Sequence, residues 1–167
     1  YAFSGTAITS ITIPASVTSI RDNTFKLCTN LTTVTFADIE NSVLETIGNG
    51  AFRESGLTSI AIPASVTSIG NDAFYNNSSI TSVEIPASVT FIGSTAFKLC
   101  ANLASVTFAD IENSVLETIG NGAFRESGLT SITIPASVQT IGYYAFTQTP
   151  ALTIIYIADG QGINGSA

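Results

Sequence analysis

The chain has 167 residues, of which 45% are hydrophobic and 10% charged; this excludes a disordered polymer and allows one domain with a sizeable core. Its formal net charge is −7 with only five Lys and Arg, so the basic patch that binds a nucleic-acid phosphate backbone is missing. His is absent, which removes the commonest general base and metal ligand, and no apolar run reaches the roughly 18 residues that span a bilayer.

Taken along the chain, one pattern recurs. A phenylalanine, usually after Ala, stands at Phe3, Phe25, Phe52, Phe74, Phe97, Phe124 and Phe146, at spacings of 22, 27, 22, 23, 27 and 22 residues. Between these lies a second signature, L-x-x-V-x-I. It reads Ile8-Ile11-Ile13, Leu31-Val34-Phe36, Leu57-Ile60-Ile62, Ile80-Val83-Ile85, Leu103-Val106-Phe108, Leu129-Ile132-Ile134 and Leu152-Ile155-Ile157. Seven turns of a solenoid over residues 1–158 follow from this recurrence. A longer repeat lies above it: residues 25–74 and 97–146 align without gaps at an offset of 72, with 42 of 50 positions identical. The three-turn unit therefore covers 25–96, and 97–158 is a partial second copy.

Within one turn the V-x-I segment alternates apolar and polar residues, which predicts a short half-buried strand. Pro14, Pro63, Pro86 and Pro135 follow it and end the ladder, because Pro has no N–H to donate. A second apolar pair comes next, such as Val66 with Ile69, and then Gly70, Gly93 or Asn49-Gly50, read as corners that need positive φ. The segment Ala96-Phe97-Lys98-Leu99-Cys100 is compatible with a single helical turn on the far side. The expected fold is thus a mainly β solenoid, with short parallel strands stacked in one curved sheet and short helical turns or irregular segments opposite. A polar, Gly-rich tail is expected over 159–167.

The string L-x-x-V-x-I-P-A-S-V-T-x-I-G-x-x-A-F-x-x-C, nearly complete in Ile80 to Cys100, resembles the BspA-like class of leucine-rich repeats. The resemblance covers the chain from Ala2-Phe3 to Ile157. It departs from the better-known leucine-rich repeat in placing Pro-Ala-Ser-Val where L-x-x-N carries its Asn, so that strand-end asparagine ladder is not expected. The resemblance implies an extracellular or cell-surface protein associated with adhesion to host proteins or other cells.

Candidate sites follow from side-chain alternation. The outward strand positions form two columns, Ser10, Thr33, Ser59, Ser82, Ser105, Ser131 and Ile154, and Thr12, Thr35, Ala61, Glu84, Thr107, Thr133 and Tyr156. They would pave a concave sheet roughly 30 Å long with small hydroxyls. That surface suits a protein or glycan ligand, although Ser and Thr also simply fit exposed strand positions. Ice binding is a more remote use of such a column, which Ala61 and Glu84 interrupt.

Cys28 and Cys100 occupy the same position three turns apart, roughly 14 Å at the spacing of stacked strands, too far for a disulfide. Both read as small buried hydrophobes. Asp38, Glu40 and Glu45, with their copies Asp110, Glu112 and Glu117, offer too few carboxylates in the wrong spacing for calcium and read as solvated charge. Asn30-Leu31-Thr32 and Asn77-Ser78-Ser79 match the glycosylation sequon. No Gly-rich phosphate loop or G-x-S-x-G elbow occurs, no metal or cofactor is expected, and the chain reads as a non-enzyme. Tyr1 as first residue and the absence of Met suggest a processed product or a fragment. The start in mid-repeat, at Tyr1-Ala2-Phe3-Ser4-Gly5 without a polar cap, raises a rival expectation: copies stacking head to tail into filaments.

Overall fold

The computed structural model describes residues 1–158 and, as backbone, Ile163–Ser166; the remainder of the expected tail lies outside the described residues. In chain order the strands are β1 (Ser10–Ile13), β2 (Ser19–Ile20), β3 (Thr33–Phe36), β4 (Thr46–Ile47), β5 (Ser68–Ile69), β6 (Ser82–Ile85) and β7 (Phe91–Ile92). They continue with β8 (Ser105–Phe108), β9 (Thr118–Ile119), β10 (Ser131–Ile134), β11 (Thr140–Ile141), β12 (Ile154–Ala158) and β13 (Ile163–Ser166). Among the described residues no segment is an α-helix. The chain is a β-solenoid that completes six turns between Phe3 and Phe146, each turn resting on the one before.

The interior explains the repeat. The seven phenylalanine rings stack in one column, with centroids 5.1–5.5 Å apart and planes within 3–12° of parallel. Offset stacking of this kind adds to the burial of large apolar side chains. The N–H groups of Phe25, Phe52, Phe74, Phe97 and Phe124 each donate to the Ala carbonyl one turn later at 2.8 Å. That is why Ala precedes Phe: Ala51, Ala73, Ala96 and Ala123 are fully buried, with no room for a larger group. Leu31, Leu57, Ile80, Leu103 and Leu129 form a second buried column, and Ile20, Ile47, Ile69, Ile92 and Ile119 a third. No turn owns a core; each shares one with its neighbours.

The far side is not helical. Two left-handed residues bracket each Ala-Phe pair, for example Thr95 (φ 55°) and Leu99 (φ 62°) around Ala96-Phe97-Lys98. Their N–H groups donate to the next turn, Thr95 to the Asn121 carbonyl at 2.9 Å and Leu99 to that of Arg125 at 3.0 Å. Between them Lys98 donates to the Thr95 carbonyl at 3.1 Å, closing a tight turn within the same layer. Positive φ cannot continue an α-helix, so the helical turn expected over Ala96–Cys100 is replaced by an irregular loop with satisfied backbone groups.

The glycine corners meet expectation only in part: Gly50 has positive φ, at 58°. Gly70 and Gly93 do not have positive φ. Gly70 is required by close approach: an added Cβ would lie 2.7 Å from the Asn49 nitrogen of the preceding turn. Beside this corner runs a ladder of side-chain acceptors. Asp22 Oδ1 accepts the Asn49 N–H at 2.7 Å, Asn49 Oδ1 that of Asn71 at 2.8 Å, and Asn71 Oδ1 that of Ser94 at 2.7 Å. Asn121 Oδ1 does the same for Tyr143 at 2.8 Å. An asparagine ladder therefore exists, at the Ile-Gly corner and not at the strand end.

The strands divide into two kinds. The short ones form a continuous parallel six-stranded sheet, β2-β4-β5-β7-β9-β11, in unbroken register. The V-x-I strands, expected to make the one curved sheet, instead form separate groups: β1-β3, β6-β8 and β10-β12-β13. The pass through Ser59-Ile60-Ala61 joins no ladder. Breaks follow both 27-residue turns, which carry the insertions Ala37–Asn41 and Ala109–Asn113, and a third separates the Ser59-Ile60-Ala61 pass from β6 after a 22-residue turn. In the tail, β13 pairs antiparallel with β12.

These roles set a stability order. Phe74→Ala is expected to cost about 3–5 kcal/mol and Gly70→Ala about 1–3 kcal/mol in chemical denaturation. The exposed substitution Ser79→Ala should stay within about 0.5 kcal/mol of the parent.

Candidate functional site

The V-x-I face carries the residues singled out by alternation. Ser10, Thr12, Thr33, Thr35, Ser59, Ser82, Glu84, Ser105, Thr107 and Ser131 are all exposed, whereas Thr133 and Tyr156 are half-buried. Strand register brings them together in pairs: Ser10 beside Thr33, Thr12 beside Thr35, Ser82 beside Ser105, Glu84 beside Thr107, and Thr133 beside Tyr156. The Thr12 and Thr35 hydroxyls lie 2.9 Å apart and hydrogen-bond to each other. Ser59 stands alone between two groups, because its pass is not part of a ladder. The face is therefore a series of short hydroxyl panels and not one continuous pavement. Chemically it offers donors and acceptors without a charge gradient, interrupted by the single carboxylate of Glu84.

Neither cysteine forms a disulfide; both are free and buried. Their sulfhydryls donate to phenylalanine carbonyls of the preceding turn, Cys28 to Phe3 at 2.9 Å and Cys100 to Phe74 at 3.1 Å. Asn77 uses the same position for the same purpose, its Nδ2 donating to the Phe52 carbonyl at 2.7 Å. Asn77 is wholly buried, so its sequon is closed to glycosylation in the folded chain. Burial pushes the Cys100 thiol up to about 12.

In the first insertion Asn41 binds both Asp38 oxygens, through its side-chain amide at 2.9 Å and its backbone N–H at 3.2 Å. These bonds, the side-chain one foremost, hold the Asp38 carboxyl below the usual range. Asn113 repeats the contact with both Asp110 oxygens at 3.0 Å. Among the described residues no group of three or more His, Cys, Asp or Glu is placed to hold a metal ion.

Sequence reading overlooked the far-side charges. Four of the five Lys and Arg, namely Lys26, Arg53, Lys98 and Arg125, directly follow a stacked phenylalanine and so fall in one column. Tyr75 fills the gap in that column, and the Arg53 guanidinium lies over its ring at 4.3 Å. Arg53 pairs with Glu54 at 3.0 Å and Asp72 at 3.4 Å, and Arg125 pairs with Glu126 at 3.0 Å. The signal was present as the residue after each Phe. Its meaning needed the stack.

With this geometry in place the relatives are informative. The BspA type leucine rich repeat region matches residues 1–115 and 110–165, as six copies. This chain belongs to that family of leucine-rich-repeat proteins. Its fold is similar to a leucine-rich cell surface protein from Faecalibacterium prausnitzii A2-165, with 37% identity and a TM-score of 0.79 over 90% of this chain. A leucine-rich repeat protein from Bacteroides ovatus is also similar, at 30% identity and a TM-score of 0.72 over 89% of the chain. The T. pallidum leucine-rich repeat protein gives 28% and 0.65 over 86%, the match covering 60% of its length. The chain spans only 39% and 37% of the first two proteins. No curated protein sequence matches it significantly.

The thiol environment leads to a direct check. With its folded value near 12 and the ordinary thiol near 9.0, the buried Cys100 stays neutral where an unfolded thiol ionises. The unfolded chain then holds fewer protons, so this contribution to stability is complete below pH 9 and lost as pH rises toward 12. Cys100 should resist aromatic disulfide reagents at pH 8 in native protein and react fully in guanidinium, as followed by thiol absorbance and mass spectrometry.

Proposed function

We propose that this chain is a non-enzymatic module of an extracellular or cell-surface repeat array, which binds a protein or glycan partner through its V-x-I face. The observation that carries this reading is the exposed set of paired hydroxyls on rigid strands, spread over successive turns and free of the ion pairs that occupy the far side. Repeat solenoids commonly use such extended faces, because every turn adds contact area without altering the core. The similar F. prausnitzii protein is itself described as a cell surface protein, which supports the location. Catalysis is not part of the proposal: without His, the exposed Ser and Thr have no ordinary base to activate them.

Head-to-tail assembly is the second reading. The phenylalanine column and the six-stranded sheet run without interruption, so a further turn in register would extend both. Ice binding is not favoured, since it needs a regular lattice of hydroxyls and the face is broken at Ser59-Ile60-Ala61.

The binding role is tested on arrays of extracellular-matrix proteins and glycans. The chain should bind at least one of them, and Thr35→Lys with Thr107→Lys should reduce that binding about tenfold while the melting temperature is kept. Absence of any ligand, or binding indifferent to both changes, would overturn it. Light scattering that grows with concentration would favour assembly.

A further inference from the structure

After the Ile-Gly corner of each 27-residue turn comes an asparagine followed by glycine, Asn49-Gly50 and Asn121-Gly122. Such a pair carries the chemistry for a spontaneous change of the chain. The Gly amide nitrogen can attack the Asn side-chain carbon, because glycine puts no side chain in the way. Residues 34–60 and 106–132 are identical, so the two pairs have the same intrinsic reactivity. Any difference between them comes from the fold.

In both pairs the reacting groups are tied to the next turn. Asn49 Oδ1 accepts the Asn71 N–H at 2.8 Å, and the Gly50 N–H donates to the Asn71 carbonyl at 2.8 Å. Tyr143 does the same for the second pair: its N–H donates to Asn121 Oδ1 and its carbonyl accepts from the Gly122 N–H, both at 2.8 Å. The preceding turn makes the difference. Asp22 holds Asn49 twice, taking its backbone N–H on Oδ1 at 2.7 Å and its side-chain amide on Oδ2 at 3.2 Å. Ser94 stands in the equivalent place before Asn121, and among the described residues neither group of Asn121 has a hydrogen-bond partner there. The second corner is also looser. A Cβ on Gly122 would find its nearest atom 3.5 Å away, on Thr95, whereas one on Gly50 would meet Asn23 Oδ1 at 2.7 Å. Tyr143 follows β11, the edge strand of the six-stranded sheet, while Asn71 follows the interior strand β5. Local opening, which the reaction requires, is easier at an edge.

We propose that Asn121-Gly122 is a site of spontaneous deamidation in the folded chain, and that Asp22 protects the identical pair in the first copy. The Gly122 nitrogen bonds to the Asn121 Cγ, the Cγ–Nδ2 bond breaks, and Nδ2 leaves as ammonia with the proton of the Gly122 N–H. Water then opens the five-membered imide at either carbonyl, and both products gain a negative charge. One product is an ordinary aspartate, which the ladder accepts, as Asp22 shows by taking the Asn49 N–H. The other is an isoaspartate, which lengthens the main chain by one atom. It moves Gly122 out of line with the Tyr143 carbonyl and loosens the last corner. This inference goes beyond the binding role and does not depend on it.

The test follows both sites in one molecule. Folded protein is held at mildly alkaline pH, cleaved after Lys and Arg, and compared by mass spectrometry with a sample cleaved at the start. Peptides 27–53 and 99–125 differ at three positions and each holds one Asn-Gly pair, so the two sites are read separately. Asn121 should deamidate about tenfold faster than Asn49, the ratio expected from one hydrogen bond to a charged acceptor. In guanidinium the two rates should become equal. Ser94→Asp should slow Asn121 toward the Asn49 rate, and Asp22→Ser should speed Asn49 toward the Asn121 rate, with melting used to establish that each variant is folded. Equal rates in the folded chain would overturn the proposal, and so would a folded Asn121 that stays unmodified while the unfolded one reacts. An Asn121 rate unchanged in folded Ser94→Asp would overturn the protection assigned to Asp22. The comparison within the native chain needs no variant and decides the site by itself.

Discussion

The structure depends on one constraint: successive turns must repeat at the distance of two stacked rings, about 5 Å. The phenylalanine centroids keep 5.1–5.5 Å throughout, and the Ala-Phe backbone bonds beside them hold 2.8 Å. Glycine at the Ile-Gly corner is a consequence, since a Cβ would occupy the space that the neighbouring backbone needs. So is the ladder from Asp22 through Asn49 and Asn71 to Ser94, in which each acceptor satisfies an N–H one layer on. Even the left-handed residues fit this account. Among the described residues eleven non-glycine residues have positive φ, a conformation that costs roughly 1–2 kcal/mol each, and eight of them, among them Asn23, Asp72, Thr95 and Glu126, donate their N–H to the next turn.

The insertions show what the constraint tolerates. A turn of 27 residues must reach the same ring column and the same short strands as one of 22, so its extra length is expelled where pairing is weakest. The six-stranded sheet and the ring stack pass through both long turns unchanged. The V-x-I ladder does not. It parts on both sides of the Ser59-Ile60-Ala61 pass and again after β8, where a groove is bordered by apolar side chains and Glu112. A duplication that preserved the core thus created irregularity on the surface, and the surface is where binding can differ from turn to turn.

Much of this was legible in the sequence. The period of the phenylalanines gave the solenoid, and alternation around Val34, Val83 and Val106 identified which side chains point outward. The same separation argument that kept Cys28 and Cys100 apart holds, because a residue returns to its position only once per layer. What could not be read were features that depend on two layers at once. Gly70 and Gly93 look like positive-φ corners until the neighbouring backbone is placed beside them. Thr95 and Leu99 carry no composition signal for a left-handed backbone; their bonds to Asn121 and Arg125 impose it. The cation column and the break after β8 were hidden for the same reason, since each is a relation between turns and not a property of one.

The account holds that the insertions open the V-x-I ladder while the inner register stays closed, and amide hydrogen exchange read residue by residue tests this most directly. The amides of Gly70 and Gly93, which donate to Ile47 and Ile69 at 2.8 Å, should be among the slowest to exchange. Those of Ile60 and Ile62, whose pass joins no ladder although their side chains are buried, should exchange markedly faster. Equal protection of all four would mean that the front ladder is closed in solution, and would contradict the account.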